Sequence, residues 1–229
     1  LEWQEELPII IRGGVKKIIQ EQFPTSYIHI QSQRYVIVSA ASELRPDGQS
    51  PVQTLHQLLG RIWKDYPSAH ICLSISKACS SLWHLQKAFR EAKFSMIIGP
   101  KLDPHKSIHD FRSYLLYQAL CNCWAAPILE KVHNSIILPI QKYDAENKLD
   151  LLATLEQYAA CAFNVTRAAE AMQVHRNTLY RRIAKIGAIL NLDMNASDTH
   201  ILLYIALQID NILGILPQTE KSLSWTLLQ

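Results

Sequence analysis

The chain predicts an α+β domain followed by an all-α domain, and three observations carry that fold class. Two β-prone runs, Tyr27–Ile30 and Arg34–Val38, lie close together between helical stretches, the pattern of a hairpin packed on helices. From Asp150 onward, apolar residues recur at three- and four-residue steps with only short breaks. Only 7 of the 229 residues are glycine, about half the usual share of roughly 7%. Glycine-rich phosphate loops are therefore scarce. Neither GxGxxG nor a P-loop motif occurs, which removes dinucleotide-binding and P-loop enzymes.

Taken in order, residues 1–22 read as helical, interrupted by Pro8 and by Gly13-Gly14, and Pro24 closes the segment because the residue before a proline is pushed out of the α region. The hairpin follows, turning through Gln31-Ser32-Gln33. Residues 42–51 form a loop with Pro46-Asp47-Gly48 as its turn signal. Leu55, Leu58, Leu59, Ile62 and Trp63 mark an amphipathic helix, and residues 70–75 a short strand. Leu82, Leu85, Phe89 and Ala92 place another helix, ending near Ile98, with those four on its apolar face. Residues 99–104 read as punctuation, 107–123 and 128–133 as apolar helices, and 139–147 as a polar linker. The domain plan is therefore 1–100 for the α+β part, 101–147 for a helical connector and linker, 148–214 for the helical domain and 215–229 for a tail.

A hydrophobic fraction of 48% with 19% charged residues supports a packed core and excludes disorder for most of the chain. The five cysteines are odd in number and lack a disulfide or zinc spacing, so Cys121 and Cys123 read as reduced thiols and the chain as cytoplasmic. No apolar run is long enough to span a bilayer, and no membrane partner is expected. The first residue is Leu1, without Met or a signal peptide, so the sequence reads as a fragment of something longer.

The most informative stretch is 164–183. A short helix, capped by Asn164 and running to Ala171, is followed by the break Met172-Gln173-Val174 and a longer helix from His175 to Leu190. This is the layout of a helix-turn-helix, with small Ala168 and Ala169 where the two helices approach. Leu179, Ile183 and Ile186 point to the core, which leaves Arg176, Asn177, Tyr180, Arg181 and Lys185 on other faces. Arginine can donate two hydrogen bonds to guanine, asparagine can pair with adenine in the same way, and threonine can touch a thymine methyl. His175, Arg176, Asn177 and Thr178 form the first turn, the part that enters a major groove. Thr166 and Arg167 open the preceding helix and suit a phosphate, while Arg182 and Lys185 suit positioning contacts to the backbone. A formal net charge of +3 conceals this distribution: residues 164–190 hold five cations against Glu170 alone, so the rest sums slightly negative.

The run from Val174 to Ile183 resembles the VHRNTLRYRI signature of the PucR/CdaR-type bacterial transcriptional regulators. Residues 151–155 are similar to that family's LLxTL helix, 166–170 to its TxAAxxL helix and 201–207 to its closing helix. Met172 stands where leucine is commoner, and the order of Arg and Tyr differs at Tyr180-Arg181-Arg182. The upstream part, roughly 25–100, resembles the degenerate GGDEF-like domain that precedes this helix-turn-helix. Its hairpin lacks the glycines and carboxylates that cyclase chemistry would require. The resemblance implies a homodimer that reads double-stranded DNA and activates a catabolic or nitrogen-scavenging operon. Its effector would bind an N-terminal sensor region missing here. The upstream domain and residues 108–133 are the expected dimerisation or signal-transmitting surfaces.

His105 and His109 stand four apart near Asp103 and Asp110, but without a third ligand they read as surface histidines rather than a metal site. No catalytic constellation is found, so no enzyme activity and no cofactor are expected. A second function fits the same composition: a non-catalytic signalling module with a degenerate nucleotide-binding domain and a helical tail that contacts a protein.

Overall fold

A computed structural model describes residues 2–3, 9–31, 34–122 and 127–215. Pro8, the hairpin-turn residues Ser32 and Gln33, Cys123 and the tail from residue 216 lie outside the described residues. The described chain divides into two compact units, one reaching Leu116 and one beginning at Tyr117.

The first unit is built on a five-stranded sheet of order β2-β3-β1-β4-β5, with β1 at Glu2–Trp3, β2 at Tyr27–Gln31, β3 at Arg34–Val38, β4 at Ile71–Ile75 and β5 at Ile108–Asp110. The expected hairpin forms, with Tyr27 opposite Val38 and His29 opposite Val36. Glu2 and Trp3, expected to be helical, instead pair antiparallel with β3 and β4. A helix that short would not offset its nucleation cost, while the edges of both neighbouring strands offer backbone partners.

Three helices flank the sheet: α1 (Ile9–Gln22), α2 (Pro51–Asp65) and α3 (Leu85–Leu102). Gly13-Gly14 does not interrupt α1; the Tyr66 hydroxyl lies where a Cβ on Gly14 would stand, so glycine permits this close approach. Ser50 and Gln53 close a reciprocal capping box at the start of α2, with bonds of 3.3 and 3.1 Å. Val15, Ile18 and Ile19 of α1 and Leu55, Leu58, Leu59 and Ile62 of α2 share a core with Ile71, Leu73 and Ile108 of the sheet. Successive strand residues alternate in direction. Ser74 and His109, the next residues along from Leu73 and Ile108, therefore face α3, where the Ser74 hydroxyl donates to the Ala92 carbonyl at 2.8 Å.

The buried face of α3 differs from the expected one. Leu82 and Phe89 are exposed, whereas Ala88, Glu91, Phe94, Ser95, Ile98 and Gly99 are buried. Glu91 accepts the Lys77 backbone N–H at 3.1 Å and Ser95 donates to the Glu91 carbonyl at 3.0 Å, so both polar groups are satisfied. The helix also continues through Gly99-Pro100 to Leu102. Residues 107–114, expected to be helical, contain β5 and a 3₁₀ turn at Phe111–Tyr114, because Ile108 pairs parallel with Leu73 and completes the sheet.

His109 is fully buried, not a surface residue. Its Nδ1 lies 2.7 Å from the Tyr114 hydroxyl, which donates to Asp103 at 3.1 Å. Burial holds the imidazole below its ordinary value of 6.5, and Nε2 is buried without a partner among the described residues. Gly99 is pressed against this ring: an added Cβ would stand 2.8 Å from the His109 Cβ.

The second unit is a helical bundle: α4 (Leu115–Asn122, beginning at the boundary), α5 (Pro127–Asn147), α6 (Leu151–Ala160), α7 (Val165–Ala171), α8 (Arg176–Leu190) and α9 (Ser197–Ile215). The expected linker at 139–147 is the last part of α5, which runs through Pro139. Proline removes one helical hydrogen bond, but the carbonyl it frees belongs to exposed Ser135, while Ile136, Ile137 and Ile140 anchor the helix in the core. The Asp144 carboxylate accepts the backbone N–H groups of Leu151 and Leu152, at 2.9 Å each, and so caps the next helix. In α9 Ile201 is exposed and Leu203, Ala206, Leu207, Ile209 and Ile212 are buried. His200 stacks on Phe163 at 4.2 Å and approaches the Met194 carbonyl at 2.8 Å, which fixes the start of that helix. Among the described residues no helix is long and apolar enough to cross a membrane.

Gly99→Ala should destabilise the protein by about 2 kcal/mol, seen as a lower urea midpoint, because the His109 ring cannot move away from the new methyl group. A second expectation concerns pH. With the folded-state pKa of His109 below 6.5, the unfolded chain takes up that proton first. This contribution is full above about pH 6.5 and is lost as the pH falls toward the folded-state value. Unfolding at about pH 7.5 and about pH 5.5 should show the loss, and His109→Gln should reduce it.

Candidate nucleic-acid interface

Three backbone features set the geometry of 164–190. Asn164 caps α7, its side chain accepting the Arg167 N–H at 3.0 Å. At the other end, Gln173 adopts a left-handed φ of 54°, with Gln173 N–H donating to the Glu170 carbonyl at 3.1 Å and Val174 N–H to the Ala169 carbonyl at 3.0 Å. These two bonds make a Schellman termination, which stops α7 and redirects the chain. His175 then caps α8, with Nδ1 accepting the Asn177 N–H at 3.2 Å. The helix therefore begins at Arg176, one residue later than the sequence pattern suggests.

The orientation of α8 follows from its apolar side. Leu179, Ile183 and Ile186 are buried against Leu151 and Leu155 of α6 and Ile137 and Ile140 of α5. At 3.6 residues per turn, Asn177 and Arg181 fall opposite that seam, one turn apart. Arg176 and Tyr180 lie on one flank, and Thr178, Arg182 and Lys185 on the other. All of these except Arg182 are exposed, as are Thr166, Arg167 and His175.

These side chains differ in their partners. The Arg176 guanidinium lies over the Tyr180 ring, 5.3 Å from its centroid, and donates to its hydroxyl at 3.0 Å. Lys185 lies over the Tyr143 ring of α5 at 4.8 Å. Arg182 is half-buried and donates to the hydroxyl of Thr154, itself fully buried, at 3.1 Å, while Thr154 donates to the Asp150 carbonyl at 2.7 Å. Arg182 thus ties α8 to α6. Sequence reasoning missed Thr154, Tyr143 and Asp144, whose roles depend on helix–helix packing; the LLxTL pattern at 151–155 was the one signal that included Thr154.

The remaining predicted constellations do not assemble into a site. His105 is exposed and His109 buried, so the pair shares no face. Among the described residues no group of three or more metal-ligating side chains comes together. Burial raises the Cys121 thiol to about 11, which makes it a poor nucleophile.

Comparison with known proteins agrees with this geometry. Residues 151–209 match the PucR C-terminal helix-turn-helix domain. Residues 151–209 are therefore of the PucR helix-turn-helix type. The chain is similar to the carbohydrate diacid regulator of Escherichia coli K12, at 25% identity over 170 residues, covering 72% of this chain and 42% of that protein. An uncharacterized protein of Haemophilus influenzae is 30% identical over 124 residues, covering 53% of this chain and 32% of the relative. The matched part of the chain therefore spans less than half the length of either relative. The PucR domain match includes α6, α7 and α8 with most of α9.

Because Arg182 is held by Thr154, Arg182→Ala should lower the unfolding free energy by about 1 kcal/mol. Thr154→Val should do the same, and the double variant should cost little more than either single one, a coupling that a double-mutant cycle in urea would measure.

Proposed function

We propose that the chain is the DNA-contacting part of a sequence-specific transcriptional regulator that reads the major groove of double-stranded DNA with α8. The observation that carries this reading is the composition of the face opposite the Leu179–Ile183–Ile186 seam, where Asn177 and Arg181 are exposed between flanks carrying Arg176 and Lys185. Asn177, Arg176 and Thr178 are assigned to base edges, because amide, guanidinium and hydroxyl groups in a first turn match the donor and acceptor pattern of the groove. Thr166, Arg167, His175, Arg181 and Lys185 are assigned to the phosphate backbone, and Tyr180 stands beside Arg176 on the base-reading flank. Arg182 is placed at the edge of this surface, where one guanidinium nitrogen serves Thr154 and the remaining N–H groups can still meet a phosphate.

A homodimer is the assembly this reading requires, since two recognition helices double the base and phosphate contacts and tie operator spacing to protein symmetry. The regulated genes are those of a catabolic or nitrogen-scavenging operon, with activation as the outcome. The relative whose name specifies a carbohydrate diacid directs the search for an effector toward small dicarboxylates. The first unit is read as a degenerate GGDEF-like domain. The support is a hairpin between helices whose described strands carry no carboxylate.

The test is binding of the chain to the DNA upstream of its own gene across a salt series. The logarithm of affinity should fall linearly and steeply with the logarithm of salt concentration, as phosphate contacts release counterions. Replacing Arg176 and Asn177 together by Ala should remove preference for the operator over unrelated DNA, while Lys185→Ala should weaken both about equally. Full specificity in the double variant would remove these two residues from the reading set. Binding to a protein partner that is insensitive to salt, with no retardation of DNA, would favour a signalling module.

A further inference from the structure

We propose that Tyr180 is a positioning residue for Arg176, and that the two act as one preassembled base-reading unit; this rests on the DNA-binding reading above. Arg176 and Tyr180 stand four apart on α8 and therefore share a face. The pair is joined twice, by the guanidinium carbon lying over the ring 5.3 Å from its centroid and by the 3.0 Å bond from Nη2 to the phenol oxygen. Both residues are exposed, with Tyr180 at 45%, so neither belongs to the core and their contact does not hold the bundle together.

An unrestrained arginine side chain loses close to its full rotamer freedom when it reads a base. A ring and a hydroxyl that already hold the guanidinium reduce that loss before DNA arrives. The geometry also leaves the reading chemistry intact. A guanidinium has five N–H donors, and the bond to Tyr180 uses one of them. The remaining donors include a pair able to reach O6 and N7 of a single guanine, the planar acceptor pattern that suits an oriented arginine. The inferred target of the unit is a guanine in the operator half-site.

The experiment uses the full chain and its own upstream DNA, with Arg176→Ala, Tyr180→Ala, Tyr180→Phe and the Arg176→Ala/Tyr180→Ala double variant. The base pair read by Arg176 is first located as the one at which Arg176→Ala no longer discriminates between substitutions. Tyr180→Ala should then weaken operator binding about fivefold, and Tyr180→Phe, which keeps the stack, about twofold. In the Arg176→Ala background Tyr180→Ala should have no further effect. On an operator substituted at that one base pair, the Tyr180→Ala penalty should also disappear. A merely structural role would not give this base-pair-specific loss, and unchanged urea midpoints would separate the two.

A Tyr180→Ala penalty of the same size in both backgrounds would mean that the tyrosine touches DNA independently, overturning the inference while leaving DNA binding in place. An unchanged affinity in Tyr180→Ala would overturn it as well. Wild-type protein with no preference for its upstream DNA would overturn both the inference and the reading beneath it.

Discussion

The second unit depends above all on a single constraint, the one-sided burial of α8. Leu179 and Ile186 are fully buried and Ile183 nearly so. They meet apolar residues from both α5 and α6, so two helices fix the rotation of a third about its axis. Turning α8 by one residue toward its Thr178–Arg182–Lys185 flank would carry charged Arg182 and Lys185 into that interior, a cost comparable to or above the few kcal/mol by which a domain is stable. The orientation of every polar side chain on the helix is therefore a consequence of hydrophobic packing.

Within that frame, positive charge serves two ends. Arg182 and Lys185 reach back to Thr154 and Tyr143, so part of the basic surface fastens helices together. Asn177 and Arg181, opposite the seam, face outward. A charge count along 164–190 treats all of these alike. Asp144 offers the parallel case for an anion: a carboxylate in a polar stretch is fully occupied in capping α6.

What could be read in the sequence follows from how local each signal is. The α7–α8 pair was legible because its apolar spacing, its Asn164 cap and its small alanines lie within thirty residues of one another. The hairpin was legible for the same reason, since its strands are neighbours along the chain. In α3 large apolar side chains occur on more than one face, and the residues that mark its expected stripe include Leu82 and Phe89, which are exposed. The true stripe of α3 includes Glu91, Ser95 and Gly99, whose burial depends on Lys77 and His109 from other elements. Residues 108–110 look helical in isolation and become a strand because Leu73, thirty-five positions earlier, presents an edge to Ile108. Of the candidate interface, the residue types were legible but their partners were not. Thr154 and Tyr143 are distant in sequence from the cations they hold.

The left-handed turn at Gln173 has counterparts at Lys148, Ala162 and Asn191, with φ between 53° and 54°. Each is followed by the same long backbone bond, from Leu149 to Asp144, Phe163 to Tyr158 and Leu192 to Gly187. Four helices of one bundle thus end on a left-handed residue, and none of the four is glycine. A side chain in that conformation costs on the order of 1 kcal/mol, least for asparagine. The bundle consequently carries torsional tension at its joints, balanced by its apolar interior. These joints, more than the helices between them, are where the unit has room to become more rigid through substitution without altering either its core or its outward face.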